Sequence, residues 1–334
     1  MKKFRVGVIG CGVICNNHII PLMENEKTEV VAVCDIVFEK AQKKAEEFGC
    51  KPYADYKEMI EKENLDSVHI CLPHYLHSEV AIYALGKGLD VLCEKPMDIN
   101  SERAKLMIDA AEKATGKLGI IFQNRYNIGS VMVKQALDSG KLGKILGISA
   151  QVVWRRDQAY YDSGDWRGKW LTEGGGVLIN QAIHTLDLSR YFMNSEVSDV
   201  KATATHFGTT TIEVEDTANG MITFENGGKL IFYFTITSVK DHKISVTLDC
   251  ENGTAELLAN VAKITYNDGT VEASQNINEY IALGKECYGT GHYKQIDEFY
   301  SENNEEKVRA TMYEAYKTQK LLDDIYDTAG LIRK

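Results

Sequence analysis

The junction Gly10-Cys11-Gly12 narrows most what this chain can become. It follows the β-branched run Phe4–Ile9 directly and leads into a helical pattern. At such a junction Gly10 allows a tight turn and Gly12 lets backbone approach a ligand. The helix entered through Val13-Ile14-Cys15 then aims unpaired N–H groups at an anion such as a pyrophosphate. Asp35 ends the second strand-like run, 23 residues past Gly12, where a carboxylate accepts from ribose hydroxyls. That carboxylate repels a 2′-phosphate, and Ile36-Val37 rather than an arginine follow it, so NAD is expected over NADP. Gly10, Cys11, Gly12, Val13, Ile14 and Asp35 are therefore candidate cofactor contacts. Cys15 fills a slot usually held by Gly or Ala and should cost some helix–strand closeness.

Further runs at Ser67–Leu72, Asp90–Cys93 and Leu118–Phe122 alternate with helical stretches such as Val37–Phe48, Tyr75–Leu85 and Ser101–Thr115. Strands alternating with helices imply βαβ units and a parallel sheet. After about residue 143 the texture changes. Seven strand-like runs between Ile145 and Tyr266, with turns at Asn226-Gly227 and Asp268-Gly269, predict an open, mostly antiparallel sheet. A helix near Gly176–Met193 interrupts it, and helices at about Tyr293–Ser301 and Val308–Thr328 close the chain. The fold class expected is α/β: a Rossmann domain over 1–123, then an α+β domain over 124–334 whose last helices return to the first.

A length of 334 residues suits two cores, and 44% apolar with 26% charged residues is the profile of a globular enzyme. A net charge of −10 argues against a nucleic-acid or anionic-membrane partner. Eight cysteines, at 11, 15, 34, 50, 71, 93, 250 and 287, form no CxxC pair. This reads as reduced-thiol usage in the cytoplasm. The apolar stretch after Met1-Lys2-Lys3 is short and broken by glycines, so no signal peptide is expected, nor any membrane span.

Ligands gather at the carboxyl ends of parallel strands, and two such ends are chemically loaded. One reads Cys71-Leu72-Pro73-His74-Tyr75-Leu76-His77 and the other Cys93-Glu94-Lys95-Pro96. Cys71, His74 and His77 have ligand-like spacing, yet no fourth ligand is evident and no metal is expected; His77 is placed near the nicotinamide instead. Leu72, Pro73, Glu94 and Gln123 join it as candidate cofactor contacts. Farther on, Asn180, His184, Asp187 and Tyr191 form one polar stripe on an otherwise apolar helix. Trp154, Trp166 and Trp170 lie within 17 residues, among Arg155, Arg156, Tyr160, Tyr161 and Arg167. Rings mixed with hydroxyl-binding groups suit a carbohydrate.

Residues 80–97, VAIYALGKGLDVLCEKPM, with the Gly10/Gly12 loop and the run Gly174-Gly175-Gly176 through His184 to Asp187, resemble the Gfo/Idh/MocA oxidoreductase family. The likeness runs from Val6 to the Gly289-Thr290-Gly291-His292 segment. It implies hydride transfer between NAD and a hydroxyl of a sugar, cyclitol or glycoside. It further implies Lys95 in the active site, often with a cis Lys-Pro peptide, and a catalytic His184. The pocket is expected to be bordered by Arg125, Tyr161 and Trp166, and subunits to pair as a dimer or tetramer through the second sheet. Either His184 or Lys95 suits the role of base, the other steadying the oxygen. Members of the inositol dehydrogenase type carry Asp four residues before the histidine. Asn180 stands there in this chain, so a redox-neutral enzyme with retained NAD is the alternative, followed by a non-enzymatic NAD-binding sensor.

Overall fold

The computed structural model describes residues 3–208, 210–275, 290–301 and 305–331; Cys287 and Gly289 lie outside them. It divides into two compact units, Met1–Ile121 with His292–Lys317 and Phe122–Gly291 with Thr318–Lys334. The first unit thus takes in part of the carboxyl-terminal chain. Among the described residues no helix is long and apolar enough to cross a membrane. The seven described cysteines are free thiols.

The first unit is built on a six-stranded sheet of β1 Phe4–Ile9, β2 Thr28–Cys34, β3 Lys51–Tyr53, β4 Ser67–Ile70, β5 Asp90–Cys93 and β6 Leu118–Ile120, in the order β3-β2-β1-β4-β5-β6. Every neighbouring pair is parallel. β4 and β6 are buried along their whole length, as expected where both faces of a parallel sheet are covered. Strand order reverses between β1 and β4, so the Gly10 loop and the Cys71–His77 segment meet at the topological switch point. β3 and the helix Tyr56–Lys62 escape periodicity: the strand has three residues, one of them Pro52, and its helix is started by Asp55, which accepts from Lys57 N at 2.6 Å.

The second unit holds an eight-stranded sheet of β7 Ile145–Val153, β8 Val197–Thr205, β9 Thr217–Phe224, β10 Lys229–Thr235, β11 Ser245–Cys250, β12 Gly253–Leu258, β13 Val261–Tyr266 and β14 Val271–Ala273. Its order is β14-β13-β12-β11-β7-β10-β9-β8, antiparallel except for the β7–β10 pair. Burial alternates along β10: Leu230, Phe232 and Phe234 face inward while Ile231 and Tyr233 are exposed. The buried face is covered in part by the helix Ile183–Met193, which packs on β7, and by Ile128–Asp138, which packs on β13. The helix expected over Gly176–Met193 is not uniform, because Leu178–Ala182 forms a π turn before the α-helix begins.

Candidate active site

In the first unit the glycine loop is ready to receive a dinucleotide. Gly10 has φ +100°, and a Cβ on it would sit 2.3 Å from the carbonyl oxygen of Cys71, so only glycine fits between the two strand-end loops. A Cβ on Gly12 would meet nothing within 4 Å, which leaves an open cradle ahead of the helix that begins through Val13-Ile14-Cys15. Asp35 accepts from Cys11 N and Val37 N, both at 2.9 Å. This fixes the carboxylate while leaving lone pairs for ribose hydroxyls. Val13 and Ile36 are nine-tenths or more exposed, apolar surface that an adenosine would cover. Cys15 is absorbed into the core, where burial pushes its thiol up to about 11. These residues fit NAD.

The Glu-Lys-Pro turn continues β5, and its Lys95–Pro96 peptide is cis. Lys95 is half-buried between buried neighbours Glu94 and Pro96. His77 bridges the two strand-end loops, one ring nitrogen 2.7 Å from Pro96 O and the other 2.8 Å from Leu72 O. His77 thereby braces Leu72, Pro73 and the turn that carries Lys95.

Behind Lys95 lies a buried chain of polar groups that periodicity does not reveal. Glu94 Oε1 accepts from His18 Nε2 at 3.0 Å and His292 Nε2 at 3.2 Å, and Oε2 accepts from Lys95 N at 3.2 Å. His18 Nδ1 lies 2.8 Å from His69 Nδ1, whose Nε2 lies 2.9 Å from Tyr300 Oη; Ser67 Oγ completes the chain at 2.7 Å. Burial opposes a charge on Glu94, yet the hydrogen bonds and charges of the two histidines hold it well below the usual carboxylate range. Burial lowers His18 and His69, against the opposing pull of Glu94. One set of proton positions then satisfies every member: Ser67 donates to Tyr300, Tyr300 to His69, His69 to His18, and His18 to Glu94. Three ligand-type atoms of His18, Glu94 and His292 lie within 4.8 Å of one another, a spacing this hydrogen-bond pattern also accounts for.

The second unit carries the other chemically loaded helix. From Glu173 to Arg190 every residue is buried except Asn180 and His184. These two stand four apart on one face. Glycine starts the helix for a specific reason: a Cβ on Gly176 would lie 1.8 Å from the carbonyl oxygen of Glu215. The Glu215 carboxylate accepts from Gly176 N at 2.9 Å, Leu178 N at 3.0 Å and Tyr326 Oη at 3.0 Å. Burial raises it to about 7.

Gln123 Nε2 is 3.5 Å from His184 Nε2, and Phe122 meets the His184 ring edge to face. Gln123 thus belongs to the surroundings of His184. Arg125 is engaged by Asp187 through two hydrogen bonds of 2.7 and 2.6 Å and lies over Tyr191. This ties the polar stripe back into the fold. Tyr161 is buried with its ring edge-on to Tyr160. The Arg167 guanidinium lies over both Trp166 and Tyr160. Trp154 donates to His242 O, and Trp170 packs on Tyr326, so two of the three tryptophans serve the fold. An open cavity of about 350 Å³ is lined by Arg155, Arg156, Asp157, Tyr160, Lys240 and Asp241. Glu173 and Tyr160, both hydrogen-bonded to Asn180, have no periodic signal; a glutamate just before the triple glycine was the only cue for the first.

Residues 4–122 match the family model described as an oxidoreductase family with an NAD-binding Rossmann fold, and residues 131–256 match the GFO/IDH/MocA C-terminal domain. The chain is 32% identical over 247 residues to the D-glucoside 3-dehydrogenase of Escherichia coli, 69% of each chain. It is 30% identical over 201 residues to the myo-inositol 2-dehydrogenase of Thermotoga maritima, 59% of this chain and 57% of that one. The crystal structure of the WlbA dehydrogenase from Bordetella pertussis, in complex with NADH and UDP-GlcNAcA, aligns with TM-score 0.84 at 28% identity, covering 98% of this chain and 96% of the other. With family models matching in both units and a relative matching over two-thirds of its length, the chain belongs to the Gfo/Idh/MocA family and is an NAD-dependent oxidoreductase.

Proposed function

We propose that this enzyme oxidises a secondary hydroxyl of a sugar, cyclitol or glycoside. The observation that carries the reading is the partial exposure of Asn180 and His184 alone within the otherwise buried run from Glu173 to Arg190. A buried helix exposes polar groups four apart when something outside it is to be bound. The relatives named as acting on glucosides and inositols support the substrate class.

NAD, when bound, accepts the hydride. His184 takes the hydroxyl proton, its Nε2 being the nitrogen toward which Gln123 donates. Neutral imidazole suits this role because its ordinary pKa lies near working pH. Lys95 is a donor to a substrate oxygen as charge develops on it, its backbone held by the Glu94 carboxylate and the turn braced by His77. Asn180 orients a neighbouring hydroxyl. Asp35 directs the choice of NAD over NADP. The exposed face of the second sheet carries Ile231 and Tyr233 and serves as the surface on which subunits pair. Ile231→Lys should therefore shift the mass measured by light scattering toward monomer; an unchanged mass would exclude that face.

The test is reduced-nicotinamide absorbance with NAD or NADP against inositols, aldohexoses and methyl glycosides. Turnover on one class should fall about 10²- to 10⁴-fold in Lys95→Ala and in His184→Ala. Undiminished turnover in either variant removes that residue from the chemistry. A wild type silent on the whole panel, but carrying NADH from purification, would favour the redox-neutral alternative.

A further inference from the structure

Asn180 does not stand alone in the second unit. Its Nδ2 donates to Glu173 Oε1 and, at 3.1 Å, to Tyr160 Oη. Both hydrogens of the amide nitrogen are thereby committed, so Asn180 meets any substrate through Oδ1, as an acceptor. Glu173 is 1% exposed. Its other oxygen accepts from Gly168 N at 2.5 Å, and Arg167 lies 3.9 Å from the carboxylate. Tyr160 Oη in turn receives Arg167 Nη1 at 2.6 Å and Gln181 Nε2 at 3.3 Å. Glu173, Arg167, Asn180 and Tyr160 are thus linked: a buried carboxylate, a cation, and two neutral groups whose hydrogen-bond directions those charges favour.

We propose that Glu173 is a positioning residue for this site: it orients the Asn180 amide with Oδ1 toward the substrate and requires a hydrogen-bond donor at position 180. This rests on the reading of Asn180 and His184 as the substrate-facing pair. The chemistry behind the requirement is simple. A carboxylate at 180 would be acceptor-only and would face a buried carboxylate within hydrogen-bond distance, where two charges cannot both persist. The positions therefore hold one carboxylate between them, and transposing it preserves the pattern. With glutamine at 173 and aspartate at 180, the new amide nitrogen donates to the transposed carboxylate. The amide oxygen still accepts from Gly168 N, and Tyr160 reverses its hydroxyl to donate.

The experiment is a double-mutant cycle of Glu173→Gln and Asn180→Asp in the full chain. It is read by melting temperature at pH 8 and by kcat and KM for the sugar that the panel above identifies, with NAD. Each single substitution should lower the melting temperature by about 5 °C or more, and the pair by less than either. In the kinetics Glu173→Gln should lower kcat about tenfold or more with KM nearly unchanged, and the double variant should recover most of that loss. Additive losses in melting temperature, or an Asn180→Asp protein as stable as wild type, would overturn the proposal. So would a Glu173→Gln enzyme of full kcat. If no sugar of the panel turns over, the substrate reading fails, while the melting-temperature cycle still decides whether Glu173 requires a hydrogen-bond donor at position 180.

Discussion

Glu94 in the first unit and Glu215 in the second are both nearly inaccessible, at 5% and 2% exposed. Each accepts three of the hydrogen bonds described above. Yet Glu94 is held well below the ordinary carboxylate range while Glu215 is raised to about 7. Depth and donor count are matched, so the kind of donor decides. Two of the groups on Glu94 are imidazoles, which can share a proton and positive charge with it. The groups on Glu215 are two backbone amides and a phenol, which orient the carboxyl but bring no charge. The first arrangement keeps an anion beside Lys95. The second makes a cap for the start of the His184 helix from a carboxyl whose ionisation burial opposes.

The comparison breaks most sharply if an imidazole is removed. His18→Phe leaves Glu94 buried with one donor fewer and takes the acceptor from His69 Nδ1. Loss of one partner from a buried charged set costs about 3–5 kcal/mol, read as a fall in the urea midpoint. A loss below about 1 kcal/mol would show that the histidines do not hold the charge.

The two carboxylates also pull stability in opposite directions with pH. Glu94 has a folded value below its ordinary 4.5, so its contribution is present above that pH and fades as pH falls through the folded value. Glu215 has a folded value of about 7 against an ordinary 4.5. Its contribution is complete below 4.5 and is lost as pH rises through 7, by about 3 kcal/mol in all. The difference in stability between wild type and Glu215→Gln, followed from about pH 4.5 to about pH 8, should therefore shrink or reverse by up to that amount as pH rises. A difference independent of pH would place the Glu215 proton elsewhere.

What was legible follows the same division. The Gly10 loop, Asp35 and the Glu-Lys-Pro turn are local: each is a few residues whose conformation depends on the strand just before it, so reading along the chain finds them. Asn180 and His184 were legible as a stripe because helical period survives the π turn at Leu178–Ala182. His18, His69, Tyr300 and His292 were not legible as a set, because they come from separate segments that only the β1-β4-β5 order and the returning helix Gly291–Phe299 bring to Glu94. Glu215 and Glu173 escaped for a related reason. Their partners are mostly backbone amides and neutral side chains, which leave no pattern in residue types. β3 escaped because three residues with a proline have no period to detect.

A third carboxylate sharpens the contrast with the smallest effect on stability. Asp35 is partly exposed and accepts two backbone N–H groups at 2.9 Å, without any imidazole and without deep burial. Solvent supports its charge, so the fold need not. Asp35→Ser should therefore cost only about 1 kcal/mol of stability. On the function proposed above, the carboxylate nevertheless governs which dinucleotide approaches Val13 and Ile36. Without it the repulsion of a 2′-phosphate disappears along with acceptors for the ribose hydroxyls. The ratio of kcat/KM for NAD to that for NADP should fall about tenfold or more, each tenfold being about 1.4 kcal/mol of discrimination. An unchanged ratio at unchanged stability would mean that the exposed carboxylate serves the turn at Val37 alone, and that dinucleotide choice is made by other groups of the loop.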